Sequence, residues 1–203
     1  MFRDVNMEVS PPFLLSPAHC GGVRARILLE GRGTFPLAQR LRGEGAPIGD
    51  VFTFLSGLYF RGKLAYARAC GTPLVIVPGH GLVDPGTIVT PQELRAIARI
   101  PVDLEEPRFR RPLQRATEAL ASTLPPEQIV VLLGSIATGK YVDAIEERLG
   151  GRLRFPAEFV GRGDMSRGGL MLRCVLHGEE LAYVPLTGSV RRGKRPPRLA
   201  PLR

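Results

Sequence analysis

The sequence predicts an α/β domain with a mostly parallel central sheet and helices on both faces. Two observations favour this fold class. Short, continuously apolar runs such as Pro73–Val77 and Gln128–Leu133 have the length and composition of buried strands. Longer segments with apolar residues at helical spacing lie between them, and strands that alternate with helices build parallel sheets.

The N-terminal half is predicted to place a long helix between two strands. Pro11–Ser16 is the first apolar run and is predicted as a strand. Asp50 is a good N-cap, and apolar residues follow it at helical spacing as far as Gly71. Gly57 and Gly62 each weaken this helix by up to ~1 kcal/mol relative to alanine, so the pattern is compatible with a break near either one. After the strand Pro73–Val77, the segment 78–86 is predicted as a loop.

The C-terminal half continues the alternation. Thr90 is predicted to cap a helix with proline at its first position and glutamate at its third. Further elements are a helix over Phe109–Leu124, the strand Gln128–Leu133 and a helix over Lys140–Leu149. Two apolar segments are expected to form a hairpin around Gly178, with a helix as the alternative for the first; they are Leu170–Leu176 and Leu181–Leu186.

Charge is concentrated at the C-terminal end of the 203 residues. The net charge is +9, and six basic residues with no acidic one lie between Val190 and Arg203. Outside that segment, 22 basic residues face 19 acidic ones. We therefore expect a single α/β domain over 1–189 and a flexible, Pro-rich tail over 190–203 that either contacts phosphates or only aids solubility.

Cysteine usage favours a reducing compartment. Cys20, Cys70 and Cys174 are far apart, odd in number and without zinc-like histidine spacing, so no disulfide framework, metal or cofactor is expected. No run approaches the ~20 apolar residues of a membrane span, and the first ten residues lack the pattern of a secretory signal. The expected location is therefore cytoplasmic.

The loop after the strand Gln128–Leu133 is the strongest candidate for a ligand site. It has the GxxxxGK spacing of a phosphate-binding loop, but Tyr141 stands where such loops have Ser or Thr. Ser135, Thr138 and Lys140 are predicted to bind an anion at the N-terminus of the next helix. The alternative is that Thr138 only caps that helix and Lys140 is solvated.

Three other segments carry chemically useful side chains. His80 is a candidate general acid or base with Asp84 as its orienting partner, or only a turn residue. Arg24 is a candidate anion contact in the segment after the first strand, where a catalytic role for Cys20 beside His19 is the weaker hypothesis. The late Gly-rich segment between Glu158 and Gly169 adds two candidates, the phosphate ligand Arg162 and the acid–base group Asp164.

The order of several short motifs resembles an uncharacterised bacterial family related to the YaaA-like peroxide-stress proteins. The motifs span about residues 12–172: a Cys-Gly turn, the helix motif LYFxxxLxYA, PGHGLVDP, LGS with a following Tyr, and Phe-Pro before a Gly-rich segment. Those proteins loosely resemble the uracil-DNA-glycosylase fold. The resemblance implies a three-layer α/β domain and favours nucleic acids or nucleobases as its ligands. It implies no mechanism, because only Asp84-Pro85 remains of the water-activating glycosylase motif.

The leading interpretation is a nucleic-acid- or nucleotide-associated protein that acts on a nucleobase or glycosidic bond if it is an enzyme. Its pocket would combine four loops, over 16–24, 78–85, 134–141 and 158–168, and Tyr59 or Tyr141 would stack a base. One alternative is a nucleotide hydrolase or phosphotransferase with a degenerate phosphate-binding loop. The other is a non-enzymatic interaction protein with the tail as a docking arm.

Overall fold

A computed structural model describes residues 10–30, 33–137 and 139–199. Helices and strands, numbered in chain order, alternate through this part of the chain. The helices are α1 (Val23–Leu29), α2 (Pro36–Arg42), α3 (Ile48–Ser56), α4 (Leu58–Cys70), α5 (Pro91–Ala98), α6 (Pro107–Thr123), α7 (Val142–Leu149) and α8 (Asp164–His177). The strands are β1 (Pro12–Leu15), β2 (Ala46–Pro47), β3 (Thr72–Val77), β4 (Gly81–Val83), β5 (Ile88–Val89), β6 (Val130–Leu133), β7 (Leu153–Pro156) and β8 (Tyr183–Pro185).

Six strands form one mostly parallel sheet in the order β4-β3-β1-β6-β7-β8. The four inner strands are parallel, and both edge strands run antiparallel to their neighbours. β2 and β5 form a separate antiparallel pair. The expected α/β fold class, with a mostly parallel sheet and helices on both faces, is confirmed.

Alternation along the central strands places a core on each face of the sheet. Phe13 and Leu15 face a cluster that includes buried residues of α1 to α5 and α8. Leu14, between them, faces the second cluster, which α6 and α7 cover. All four residues of β1 and of β6 are buried, because helices cover both faces. Among the described helices, none has the length and apolar character needed to cross a membrane.

Glycines set the long helical region and its crossing with α8. Gly57, with φ of +58°, ends α3 and begins α4, so the chain breaks at one of the two predicted positions. Gly62 remains inside α4. A Cβ there would lie 2.6 Å from the carbonyl oxygen of Gly168, and a Cβ on Gly168 would lie 2.6 Å from that of Leu58. The late glycines therefore include one that lets two helices approach each other.

Two expected elements differ from the structure. The predicted hairpin over Leu170–Leu176 and Leu181–Leu186 is wrong in its first half, since α8 continues through His177 and ends at the left-handed Gly178. Only β8 is a strand, and it pairs with β7. The predicted loop over 78–86 contains β4, which folds back on β3 as an antiparallel edge strand.

Residues 190–199 of the basic tail form no helix or strand, but they lie against the domain. Arg191 pairs with Asp143 at 3.2 Å and with Glu146 at 2.8 Å, both on α7. A Cβ on Gly161 would contact the carbonyl oxygen of Lys194. Flexibility of the tail stays a prediction.

Candidate functional site

Ser16 and Gly134 meet where the strand order of the sheet reverses. Ser16 follows β1 and Gly134 follows β6, and the chain forms β3 on one side of β1 before it forms β6 on the other. The amide of Ser16 donates to the carbonyl oxygen of Leu133 at 3.1 Å, which joins the two strand ends. In open α/β sheets, ligands bind in the crevice at such a switch point. The candidate site therefore lies at this edge.

Lys63, on α4, is buried against Ser16. Only 1% of its surface is exposed, and none of the ion pairs among the described residues includes it. Its Nζ lies 2.6 Å from the carbonyl oxygen of Ser16 and 2.8 Å from its Oγ. The rings of Tyr59 and Phe60 lie beneath the amine, with centroids 4.4 and 4.8 Å from Nζ. Lysines are almost never fully buried unless paired, so this residue is unusual.

Burial lowers the pKa of Lys63 to about 7. The negative charge of Asp164 opposes this change, whereas the positive charge of Arg167 adds to it. Removal from water disfavours the charged amine, and the ring faces compensate only in part. The free amine of Lys63 is therefore far more accessible near neutral pH than that of a solvated lysine.

Tyr141 brings a hydroxyl to the same point. It donates to the carbonyl oxygen of Ser135 at 2.9 Å. A Cβ on Gly134 would lie 2.6 Å from this hydroxyl and 3.2 Å from Oγ of Ser16, so only glycine leaves room for both. Burial raises the pKa of Tyr141 to about 12, which keeps the hydroxyl protonated and able to donate at neutral pH.

Tyr59 and Arg167 complete the buried cluster. The Tyr59 hydroxyl is buried and has no hydrogen-bond partner among the described residues. Burial raises its pKa above the ordinary value, and the positive charge of Arg167 opposes that rise. Nε and Nη2 of Arg167 donate to the carbonyl oxygen of Phe159 at 3.1 and 3.0 Å, and Nη1 lies 3.5 Å from Asp164. Arg167 is thus fixed by its own contacts, while Tyr59 has a hydroxyl to offer.

A separate groove is lined by other residues of α4 and α8. A groove of about 470 Å³ runs between the first turns of α4, the helix α8 and the tail. We call it the arginine groove because five arginines line it: Arg61, Arg162, Arg173, Arg195 and Arg198. Among the described residues that line it, none is acidic. Nη1 of Arg162 donates to Oγ of Ser166 at 3.2 Å and to the carbonyl oxygen of Pro197 at 3.5 Å.

The expected convergence of four loops is met in part by the geometry. The loops after β1 and β6 meet at the buried cluster, where Ser135 and Tyr141 lie, and Asp164 lies close enough to act on the charge of Lys63. Tyr59 and Tyr141 are each only 6% exposed, so their rings are covered rather than open to a stacking base.

In the loop with GxxxxGK spacing, a carboxylate of the following helix occupies the space beside Gly139. A Cβ on Gly139 would contact the carboxylate of Asp143, in the first turn of α7. An anion at this helix N-terminus would therefore meet a negative charge. Lys140 is exposed and lines a separate cleft of about 370 Å³ with His19 and Pro78. Thr138 lies outside the described residues, so its role stays a prediction.

The other candidates lie away from the buried cluster. Nη1 of Arg24 donates to the carbonyl oxygen of Phe54 at 3.1 Å. His80 is exposed and its Nδ1 lies 3.2 Å from the carbonyl oxygen of Pro78, whereas Asp84 accepts from the amide of Gly86 at 2.6 Å. No hydrogen bond joins His80 to Asp84 among the described residues. Burial raises the pKa of the Cys20 thiol to about 12, which leaves it unreactive.

The described part of the chain has no group of three or more His, Cys, Asp or Glu side chains that could hold a metal ion. Comparison with protein-family models, with curated proteins and with solved structures gives no match. The resemblance to YaaA-like proteins therefore stays an expectation from the sequence.

The predicted pocket loops 16–24 and 158–168 contain Ser16 and Arg167, but no motif singles out either residue, and Lys63 lies in none of the four loops. Lys63 follows Arg61 in an amphipathic helix, where a solvated lysine is the usual outcome. Its one sequence signal is its position between the apolar pairs Tyr59-Phe60 and Tyr66-Ala67, which places it on the face that the helix buries. Arg167 lies between Ser166 and two glycines, a context typical of a loop.

Proposed function

We propose that this protein binds nucleic acid or a nucleotide, with phosphate groups in the arginine groove. The observation that carries the proposal is the lining of that groove, five arginines without an acidic residue among the described positions. Guanidinium groups bind phosphate oxygens through paired hydrogen bonds and stay charged at every physiological pH. A concave surface with a single sign of charge also concentrates an oppositely charged ligand.

The tail supports this proposal because it contributes to the groove. Arg195 and Arg198 belong to the tail, whereas Arg61 belongs to α4 and Arg173 to α8. The positive charge of the tail is therefore added to that of the domain instead of being spread through solvent. The groove is partly apolar, with Leu58 and Leu172 among its lining residues, which suits the sugar and base of a nucleotide.

The test measures binding of single-stranded DNA, duplex DNA, RNA and mononucleotides across a salt series, by fluorescence anisotropy. The groove variant Arg61→Gln/Arg195→Gln removes two charges from exposed side chains. The control Arg99→Gln/Arg115→Gln removes two charges from exposed positions, just after α5 and on α6, that do not line the groove. Each phosphate that a variant no longer neutralises is expected to reduce the log–log salt slope by roughly 0.7 to 0.9.

The proposal predicts that the groove variant binds at least tenfold more weakly than the control variant. Equal weakening in the two variants would mean that only the total charge matters, and the groove would then not be the site. Binding of none of the four ligands at low salt would end the proposal for nucleic acids and nucleotides alike. The comparison of oligonucleotides with mononucleotides shows which of these ligand classes the groove prefers.

A further inference from the structure

Phosphate binding in the arginine groove leaves the buried cluster at the switch point without a role. We propose that Ser16 is a nucleophile that Lys63 activates, and that this pair hydrolyses a carboxylic ester. The proposal goes beyond nucleic-acid binding and does not depend on it. It rests on the contact between Oγ of Ser16 and Nζ of Lys63, 2.8 Å, and on the burial of that amine against the ring of Tyr59.

The hydrogen bonds of Lys63 match the needs of a general base. A neutral amine has two N–H bonds and one lone pair. As the charged amine, Nζ donates to both oxygens of Ser16, at 2.6 Å to the carbonyl oxygen and 2.8 Å to Oγ. As the free amine, it keeps the bond to the carbonyl oxygen, and its lone pair is then free to accept the proton of the Ser16 hydroxyl. A nucleophile and its base within hydrogen-bond distance are the geometric signature of covalent catalysis. The lowered pKa of Lys63 makes the free amine available near neutral pH.

Tyr59 supplies the donor for the negative charge that would form on the substrate. Its hydroxyl is buried, protonated at neutral pH and has no hydrogen-bond partner among the described residues. Tyr141 lies against the same glycine as Ser16, but its proton is already donated to the carbonyl oxygen of Ser135 at 2.9 Å. Buried donors that are already in place stabilise a developing oxyanion better than water does.

The reaction proceeds in two balanced halves. Lys63 accepts the proton of Ser16 as Oγ forms a bond to the carbonyl carbon, and the carbonyl electron pair moves onto oxygen, where a tyrosine donates a hydrogen bond. The carbonyl bond re-forms as the bond to the alcohol breaks, and the alcohol leaves with the proton from Lys63. Water then repeats these steps at the acyl-serine, which releases the acid and restores the Ser16 hydroxyl.

The available donors favour an acyl group over a phosphoryl group. A phosphoryl group enters with a negative charge and needs cations around it. Two N–H groups of Arg167 donate to the carbonyl oxygen of Phe159, and its charge is paired with that of Asp164. Lys63 has to be uncharged to act as the base. What remains are neutral hydroxyls, which suit a carbonyl group that becomes negative only during the reaction.

Ser16 is the outer member of the pair. It keeps 6% of its surface exposed against 1% for Lys63, so the nucleophile lies between the base and the surface. The lining of the cleft of about 370 Å³ includes Ala18, two residues after Ser16, and Pro78, which follows β3. Ser16 itself is not part of that lining, and the proposal requires the acyl group to reach Oγ from this cleft.

The experiment treats the full chain with a fluorophosphonate probe, which modifies activated serines whatever their natural substrate, and locates the adduct by mass spectrometry. Hydrolysis of p-nitrophenyl acetate is followed in parallel from pH 5 to 9. We expect one adduct, on Ser16, and a rate that rises with pH and levels off near the pKa of Lys63, about 7. Ser16→Ala should abolish both signals, and Lys63→Met should lower both by about 100-fold or more.

Controls separate chemistry from folding. Ser122→Ala removes an exposed serine on α6 and should change neither signal. Thermal unfolding identifies any variant that fails to fold, and Ser16→Cys keeps a nucleophile of similar size at the same position. The proposal is overturned by a folded wild-type chain without an adduct, by an adduct at another residue, or by labelling of Ser16 that Lys63→Met leaves unchanged.

Discussion

Gly62 and Gly168 lie backbone to backbone where α4 crosses α8. A Cβ on Gly62 would lie 2.6 Å from the carbonyl oxygen of Gly168 and 2.9 Å from its Cα. α4 carries Lys63 and α8 carries Arg167, so this crossing sets the separation of these two buried side chains. The close approach of the helices is thus a structural condition for the candidate site.

Alanine at the crossing is expected to destabilise the fold. Gly168→Ala places a methyl group 2.6 Å from the backbone carbonyl oxygen of Leu58, which is able to move only if the helices separate. Overpacking of this kind costs typically about 1–3 kcal/mol in the free energy of unfolding. Gly169→Ala is the matched control, because its Cβ would meet only ordinary contacts at 3.6 Å. It should stabilise α8 by up to ~1 kcal/mol. If urea denaturation shows that both substitutions change the free energy of unfolding in the same direction, the close crossing is contradicted.

The buried amine predicts a pH dependence of stability. The pKa of Lys63 is about 7 in the folded chain, against about 10.4 in an unfolded one. Between these values the unfolded state binds more protons, so the free energy of unfolding due to this residue rises with pH. Below about pH 7 both states are protonated and the dependence ends.

The measurement compares wild type with Lys63→Met by urea denaturation between pH 6 and 9.5. The difference in their free energies of unfolding should change in favour of wild type by up to about 1.4 kcal/mol per pH unit above pH 7. Groups other than Lys63 titrate in both proteins and cancel in the difference. A difference that stays constant over this range would mean that Lys63 keeps an ordinary pKa and is accessible to water.

Tyr66 and Tyr183 join the C-terminal strand to α4. Their hydroxyl oxygens lie 2.6 Å apart, and the Tyr66 hydroxyl also accepts from the amide of Leu181 at 2.8 Å. Tyr66→Phe removes the partner of a buried amide, which costs about 1–3 kcal/mol, whereas Tyr183→Phe removes one hydrogen bond at a half-buried site for about 0.5–1.5 kcal/mol. Thermal unfolding should therefore rank Tyr66→Phe as the less stable variant. The reverse order would indicate that water satisfies the Leu181 amide.

The sequence predicted the fold more completely than the site, for physical reasons. Apolar runs such as Gln128–Leu133 report burial directly, and the carboxyl edge of the sheet follows from parallel order. Ser135 and Tyr141 are placed at this edge by sequence because they lie in a loop after such a strand, but the predicted roles were an anion contact and a stacking ring, whereas the structure joins them by a hydrogen bond from the Tyr141 hydroxyl to the Ser135 carbonyl oxygen. Lys63 comes from a helix 47 residues after Ser16, and no local pattern links the two. Gly168 belongs to the late Gly-rich segment, which was interpreted as part of a ligand pocket. Glycine permits the close approach of a helix as well as of a ligand, so the segment alone does not distinguish the two.

Truncation after Ser189 tests how far the tail contributes to ligand binding. The tail supplies two of the five groove arginines, and Arg191 also pairs with Asp143 and Glu146. If the tail acts as part of the groove, the truncated chain should bind more weakly and show a log–log salt slope less negative by roughly 0.7–0.9 for each phosphate that it no longer neutralises. Arg61→Gln should then weaken ligand binding by the truncated chain further, because domain and tail bind the same ligand.

Complete loss of binding on truncation, with no effect of Arg61→Gln in the full chain, would make the tail an independent basic arm and remove the groove from the proposal. Retained binding with an unchanged slope would place the phosphates on the domain alone.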